Sequence, residues 1–301
     1  MQALPMKAAL LPDRGVVKVV GDDAGKFLNG LLTVDIATVS PQQARFSALL
    51  TPQGKIIADF IVIAADLLAV GGYYFDCPRA LAPALVQRLN FYKLRAKVSA
   101  EDLSDVLGVM AIWDGEPTAT AGLTYPDPRL ADLGLRCILP LHEASGAADT
   151  LGATPVAAED YQQHRIDLSV PQGGSDFAYE DAFPHEADMD QLGGIDFAKG
   201  CYVGQEVVSR VEHRGTARTR IVAVTFDGAA PEAGLPVTAG DASVGTMGSA
   251  MAGRGLASLR LDRVSEAMGK GVTIMAGGVA LSPARPAWAQ FAFPVAAAAT
   301  P

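Results

Sequence analysis

The sequence predicts an α+β protein, with an N-terminal region of mixed sheets and helices followed by a small C-terminal β-barrel. Three observations carry that prediction. The first two hundred residues alternate β-rich apolar runs with stretches whose apolar residues recur at helical spacing. After Gly215 the pattern changes to short apolar pieces between Gly and Pro turns, the signature of a small all-β domain. The chain has 301 residues, half of them hydrophobic and 19% charged, which suffices for two domains and leaves room for a third. The expected boundaries are 1–215 for the N-terminal region, with room for two subdomains, 216–286 for the barrel, and 287–301 for a flexible tail.

The elements follow in order. Val16–Val20 reads as a strand, and Asp22 as the N-cap of a helix through Phe27, Leu28, Leu31 and Leu32. Phe46–Leu50 and Lys55–Ala64 read as a hairpin turned by Thr51-Pro52-Gln53-Gly54. A strand at Tyr73–Phe75 precedes a helix marked by Leu81, Leu85, Leu89 and Tyr92. Val106–Trp113 and Leu135–Leu139 are strands, and the proline-bearing stretch between them reads as loop. Ala157–Leu168 is helical. Residues 171–200, rich in Gly, Asp and Pro, form a loop of a length usually tied to function or disorder. Gln205–His213 is a short helix. The barrel strands fall at Arg220–Phe226, Pro236–Thr238, Ser243–Met247, Gly255–Leu261 and Gly271–Ala276. The run Ala296–Ala299 reads as disordered.

Composition bounds the function. A net charge of −9 argues against general nucleic-acid binding, which needs a basic surface. Three cysteines without paired spacing suggest a reducing compartment, and with four scattered histidines they give no zinc pattern. No apolar run approaches the ~20 residues that span a bilayer, and no signal or transit layout opens the chain. These features predict a cytoplasmic protein with no membrane partner.

The richest run is Lys199-Gly200-Cys201-Tyr202-Val203-Gly204-Gln205-Glu206. A neighbouring lysine and a following helix N-terminus both favour a thiolate, so Cys201 reads as a working thiol. A cysteine packed at a tight turn is the plain alternative. Tyr202 suits either stacking on a flat ligand or filling core. Acidic residues are favoured in a first helical turn, which accounts for Glu206. Arg210, His213, Arg214, Arg218 and Arg220 form a basic cluster suited to carboxylates or phosphate, or else a solvated helix face. Asp167 reads as a cap or ion-pair partner, or as an acceptor of two parallel N–H bonds from a pterin-like edge. Asp59 stands in an apolar strand, either inward and in need of partners or on an edge or solvent face. His185 and Glu186 lie in the long loop, where a lone histidine reads as solvent-exposed.

The run Gly193–Glu206, with Arg210 and Arg214-Gly215, resembles the YgfZ family, folate-binding proteins implicated in iron–sulfur cluster assembly or repair and related to glycine cleavage aminomethyltransferase (T-protein). Phe27–Asp35, Leu50–Lys55 and Tyr92–Val98 are similar to that family's first helix, hairpin and helix-to-strand junction. The resemblance implies an aminomethyltransferase-like N-terminal region that binds tetrahydrofolate or a derivative, with iron–sulfur client or assembly proteins as partners. It implies Cys201 as the reactive thiol, Asp167 on the pterin, and Arg210 or Arg214 near the glutamate tail. Glu186, Lys199, Tyr202 and Gln205 complete the implied folate-binding set, and no metal ligand is assigned. The transferases carry an Asp-Asp pair after the hairpin where this chain has Ala58-Asp59. A folate-dependent one-carbon transferase using Asp59 as acid/base is the second reading, and a folate-binding module with a structural Cys201 is the third.

Overall fold

Val16, Val17 and Val19 are fully buried, and the strand that carries them belongs to the first of two units into which the chain folds. The computed structural model describes residues 5–67, 70–215 and 217–294. The first unit takes residues up to Gln162 together with Leu192–Gln205; the second takes Gln163–Gln191 and the chain from Glu206 onward.

In chain order the elements are β1 (Lys7–Leu10), β2 (Arg14–Val20), α1 (Ala24–Asn29), β3 (Arg45–Leu50), β4 (Ile56–Leu67), β5 (Val70–Pro78), α2 (Ala82–Tyr92), β6 (Ser99–Asp102), β7 (Leu107–Trp113), β8 (Leu123–Pro126), β9 (Leu135–Pro140), α3 (Ala144–Leu151), β10 (Thr154–Pro155) and α4 (Ala158–Asp167). After a long stretch without helix or strand come α5 (Gln205–Arg214), β11 (Thr219–Thr225), β12 (Pro236–Ala239), β13 (Ala242–Met251), β14 (Arg254–Arg260), α6 (Leu261–Gly269), β15 (Ile274–Ala276) and β16 (Val279–Ala284).

The first unit holds two five-stranded sheets, ordered β3-β4-β5-β2-β6 and β10-β1-β7-β9-β8. Ala58, Phe60 and Val62 of β4 join a core with Leu28 of α1 and with Leu85 and Leu89 of α2. Ile61 and Ile63, on the other face of β4, are buried as well. A strand covered on both faces loses the alternation that would show which way Asp59 points. Charges link the two sheets: Arg136 on β9 lies 3.5 Å from the Asp76 carboxylate on β5, which also accepts from Arg14 of β2 at 2.6 Å. Arg136 further donates to Asp127 at 3.0 Å and to the Tyr161 hydroxyl at 2.7 Å, and Arg129 forks onto Asp127 at 2.9 and 2.7 Å.

In the second unit six strands close a barrel in the order β11-β14-β13-β12-β15-β16, filled by Val222, Val224, Val237, Leu259 and Ile274 among others. Closure removes exposed sheet edges. The expected α+β class and terminal barrel are present.

Several local expectations change. The first helix stops at Asn29 instead of reaching Leu32, and its flanking acid is Asp23, with no side-chain cap bond. The proline-bearing stretch after β7 contains β8, paired with β9 through Leu123–Ile138 to Pro126–Leu135. The segment read as a tail is tied down in its described part: Trp288 Nε1 donates to the Leu168 carbonyl at 2.9 Å, and Ala289 is buried. Ala296–Ala299 lies outside the described residues.

Candidate functional site

The cysteine loop is built into the first unit by two anchors. Thr33 Oγ1 donates to the Gly194 carbonyl at 2.6 Å, and the Asp196 amide donates back to the Thr33 carbonyl at 2.9 Å. Lys199 Nζ then donates to the carbonyls of Asn29, Leu32 and Val34 at 2.7, 2.6 and 3.0 Å. These carbonyls lie at the end of α1 and in the turn after it, where helical acceptors lack intrahelical partners and a cation is favoured. An ammonium has three N–H donors, and all three are taken up. The lysine expected to serve the thiol or a folate therefore holds the backbone instead. Burial lowers its pKa to about 8, against the pull of Asp35 and Asp196.

The same ammonium lies 5.0 Å from the centre of the Tyr202 ring, which is buried. Burial, with Asp196, raises the Tyr202 phenol to about 12. Of the two readings of Tyr202, the structure gives core. Gly204 follows at φ +85, where a Cβ would lie 2.7 Å from the Thr51 carbonyl oxygen and 3.1 Å from Gly54 Cα. Glycine therefore lets the loop close onto the hairpin turn between β3 and β4. Gln205 then opens α5, its amide donating to the Tyr202 carbonyl at 3.3 Å.

Between these anchors Cys201 is exposed, while Cys77 and Cys137 are buried and all three thiols are free. Burial pushes Cys77 up to about 12 and Cys137 up to about 11. The fold thus presents one thiol on a pinned loop and shields the other two.

Asp59 is 5% exposed in the middle of β4, opposite Ala48, so the inward reading holds. Its charge contributes to the field at Arg14, where burial opposes the guanidinium charge and Asp76 and Asp59 together raise its pKa. Asp59, Lys199, Cys201, Tyr202 and Gln205 belong to the first unit; Asp167, Glu186, Arg210 and Arg214 belong to the second.

In the second unit Asp167 ends α4 with its side chain 43% exposed. Its Oδ1 accepts from Gln163 at 2.9 Å and lies 3.7 Å from Arg254. Glu186 accepts from the Phe183 amide at 3.0 Å and bends its own loop. Arg210 makes an exposed i,i+4 pair with Glu206 at 2.6 Å, and Arg214 is exposed. The basic cluster does not converge, because Arg220 is buried and bound to Asp188 at 3.3 Å and to Asp190 at 2.6 Å. His185, expected in solvent, is 2% exposed, with Nε2 3.1 Å from Glu212.

Sequence reasoning missed the His185 environment and the Arg14–Asp76–Arg136–Asp127 cluster. A usable signal existed: Asp76 and Arg136 interrupt apolar strands as Asp59 does, and charged groups in such places need partners.

Residues 218–291 match the profile of the CAF17 C-terminal β-barrel domain. Among curated proteins, the human mitochondrial iron–sulfur cluster assembly factor IBA57 is 32% identical over 273 residues, covering 83% of this chain and 76% of that protein. The chain belongs to the IBA57 family. The mitochondrial IBA57 homologue of Mycosarcoma maydis is 35% identical over 233 residues, covering 73% of this chain and 57% of that protein, so the match spans a little over half of that relative's length. The relatives carry the IBA57 name rather than YgfZ. A solved structure, glycine cleavage aminomethyltransferase T from Bartonella henselae, superposes with a TM-score of 0.75 at 16% identity, covering 95% of this chain and 86% of that one. At that identity the likeness establishes the fold, which is aminomethyltransferase-like.

The cytoplasmic assignment is corrected by the same relatives, which are named mitochondrial proteins. Composition and cysteine count report a reducing environment without distinguishing compartments. Among the described residues no helix is long and apolar enough to cross a membrane.

Proposed function

We propose that this IBA57-family chain acts in iron–sulfur cluster assembly, presenting the exposed Cys201 sulfur to a cluster or to a sulfur-bearing partner protein. The observation that carries this reading is the contrast among the thiols: Cys201 is exposed on a loop anchored at Lys199 and Gly204, while Cys77 and Cys137 are buried. One cysteine cannot hold a cluster alone, so the remaining ligands come from outside this loop, from a partner or a bound thiol. The names of the relatives support the assembly role.

The finer YgfZ-like reading adds tetrahydrofolate. A pterin's amidine edge needs a carboxylate that can accept two parallel N–H bonds. Asp167 offers a half-exposed carboxylate whose Oδ2 has no partner among the described residues and whose Oδ1 is shared with Gln163. In the proposed pose the pterin edge takes the place of Gln163 on Asp167. The aminomethyltransferase-like fold supports the same reading.

Calorimetry with tetrahydrofolate on the wild type, Asp167→Ala and Asp59→Asn tests the folate part. Binding weakened at least tenfold by Asp167→Ala supports the pose, and equal binding removes it. Turnover of an aminomethyl donor that is lost in Asp59→Asn would favour the transferase reading instead.

A further inference from the structure

The geometry points to a divalent transition-metal site in the second unit, formed by His185, Asp190 and Glu212. Each of these side chains offers one ligand atom, and the three atoms lie within 4.8 Å of one another. His185 and Asp190 come from the long loop after α4, and Glu212 from α5, with His185 Nε2 already 3.1 Å from Glu212 Oε2. Two ligands bound at about 2.0–2.2 Å to one metal sit roughly 3–3.5 Å apart in tetrahedral geometry, so little rearrangement is needed. One imidazole with two carboxylates and no thiolate suits Fe²⁺, Mn²⁺ or Zn²⁺.

Charge supports the assignment. Asp188 and Asp190 share the Arg220 guanidinium, and both carboxylates are almost completely buried, while Glu212 pairs with His185. Arg220 Nη1 lies 2.6 Å from Asp190 Oδ1 and 3.3 Å from Asp188 Oδ1, and Nη2 lies 3.0 Å from Asp190 Oδ2. Asp188 Oδ2 is buried without a hydrogen-bond partner among the described residues, an unusual condition for a carboxylate. Asp190 Oδ2 already accepts from Arg220 and, at 2.8 Å, from Gln191, whereas Oδ1 accepts from Arg220 and keeps a second lone pair for the metal. A cleft of about 280 Å³, lined in part by His185, Glu212, Arg220 and Phe291, gives the ion and its waters a way in. The site depends on neither Cys201 nor folate.

The test is a Co²⁺ titration of the chelator-treated full-length protein, followed by visible absorption, with Zn²⁺ as competitor. Wild type, Glu212→Gln and Cys201→Ser are compared. Glu212 is half-exposed, so Glu212→Gln is expected to fold, which a thermal melt checks. The proposal expects one saturable equivalent of Co²⁺, displaced by Zn²⁺, bound at least about tenfold more weakly by Glu212→Gln and unchanged in Cys201→Ser. It is overturned by the absence of saturable binding. It is equally overturned by binding that survives Glu212→Gln and disappears with Cys201→Ser, which would place the ion on the thiol.

Discussion

Lys199 Nζ lies 2.6 Å from the carbonyl oxygen of Leu32, 167 residues earlier in the chain. This contact, with its neighbours to Asn29 and Val34, ties the cysteine loop to the turn that follows α1. Charged hydrogen bonds contribute about 1.5–3 kcal/mol each, and orphaning buried carbonyls carries a further cost. Lys199→Met should lower stability by about 2 kcal/mol or more in denaturant melts. Amides of residues 199–204 should then exchange faster with deuterium. Unchanged exchange would remove the anchoring role.

Gly204 sits at φ +85 against Thr51 and Gly54. Gly204→Ala meets both a disfavoured backbone conformation and a backbone oxygen 2.7 Å from the new Cβ. A left-handed conformation at a non-glycine residue costs about 1–3 kcal/mol, before any loss from pushing the loop off the hairpin. Thermal melts of the variant should show that loss. Gly200→Ala, where a Cβ meets nothing within 4 Å, is the control.

Thiol reactivity should separate the cysteines. With Cys77 raised to about 12 and Cys137 to about 11 by burial, both stay protonated and shielded near neutral pH. Iodoacetamide at pH 7.5 should label one site in the native protein, mapped to Cys201 by peptide mass, and three in denaturant. Labelling of Cys77 in the native state would contradict the burial argument.

The arginine–aspartate cluster joining the two sheets makes stability pH-dependent. Burial opposes ionisation of Asp127, but Arg129 and Arg136 outweigh it and hold its carboxyl far below the usual range. A depressed native pKa contributes stability that is full above the unfolded value near pH 4 and is lost as the pH falls below it. Unfolding free energy should therefore drop steeply from about pH 4 downward. Asp127→Asn should flatten that drop. Arg136→Met, which leaves buried carboxylates uncompensated, should cost about 3–5 kcal/mol at pH 7.

Much of this architecture was legible in the sequence where one pattern dominated. Gly and Pro turns marked the barrel, and Thr51-Pro52-Gln53-Gly54 marked the hairpin between β3 and β4. The misses have physical causes. β8 is only four residues long and carries Pro126, so its pairing with β9 outweighs weak local preference. α3, rich in Ala and holding Gly146, gives little periodic signal, and its apolar face emerges only against β1 and β10. The motif around Cys201 located the site, but Lys199's partners lie some 165–170 residues away, beyond any local reading. His185 reads as a loop histidine in the sequence because its partner Glu212 comes from a different element.

Complementation tests the proposed role of Cys201 in iron–sulfur cluster assembly. The wild type and Cys201→Ser would be expressed in a strain lacking its own family member, at matched protein levels, with iron–sulfur enzyme activity as the readout. Calorimetry with tetrahydrofolate would be run on both purified proteins. Both proteins should fold and bind folate alike, and only the wild type should restore activity. Full rescue by Cys201→Ser would contradict it.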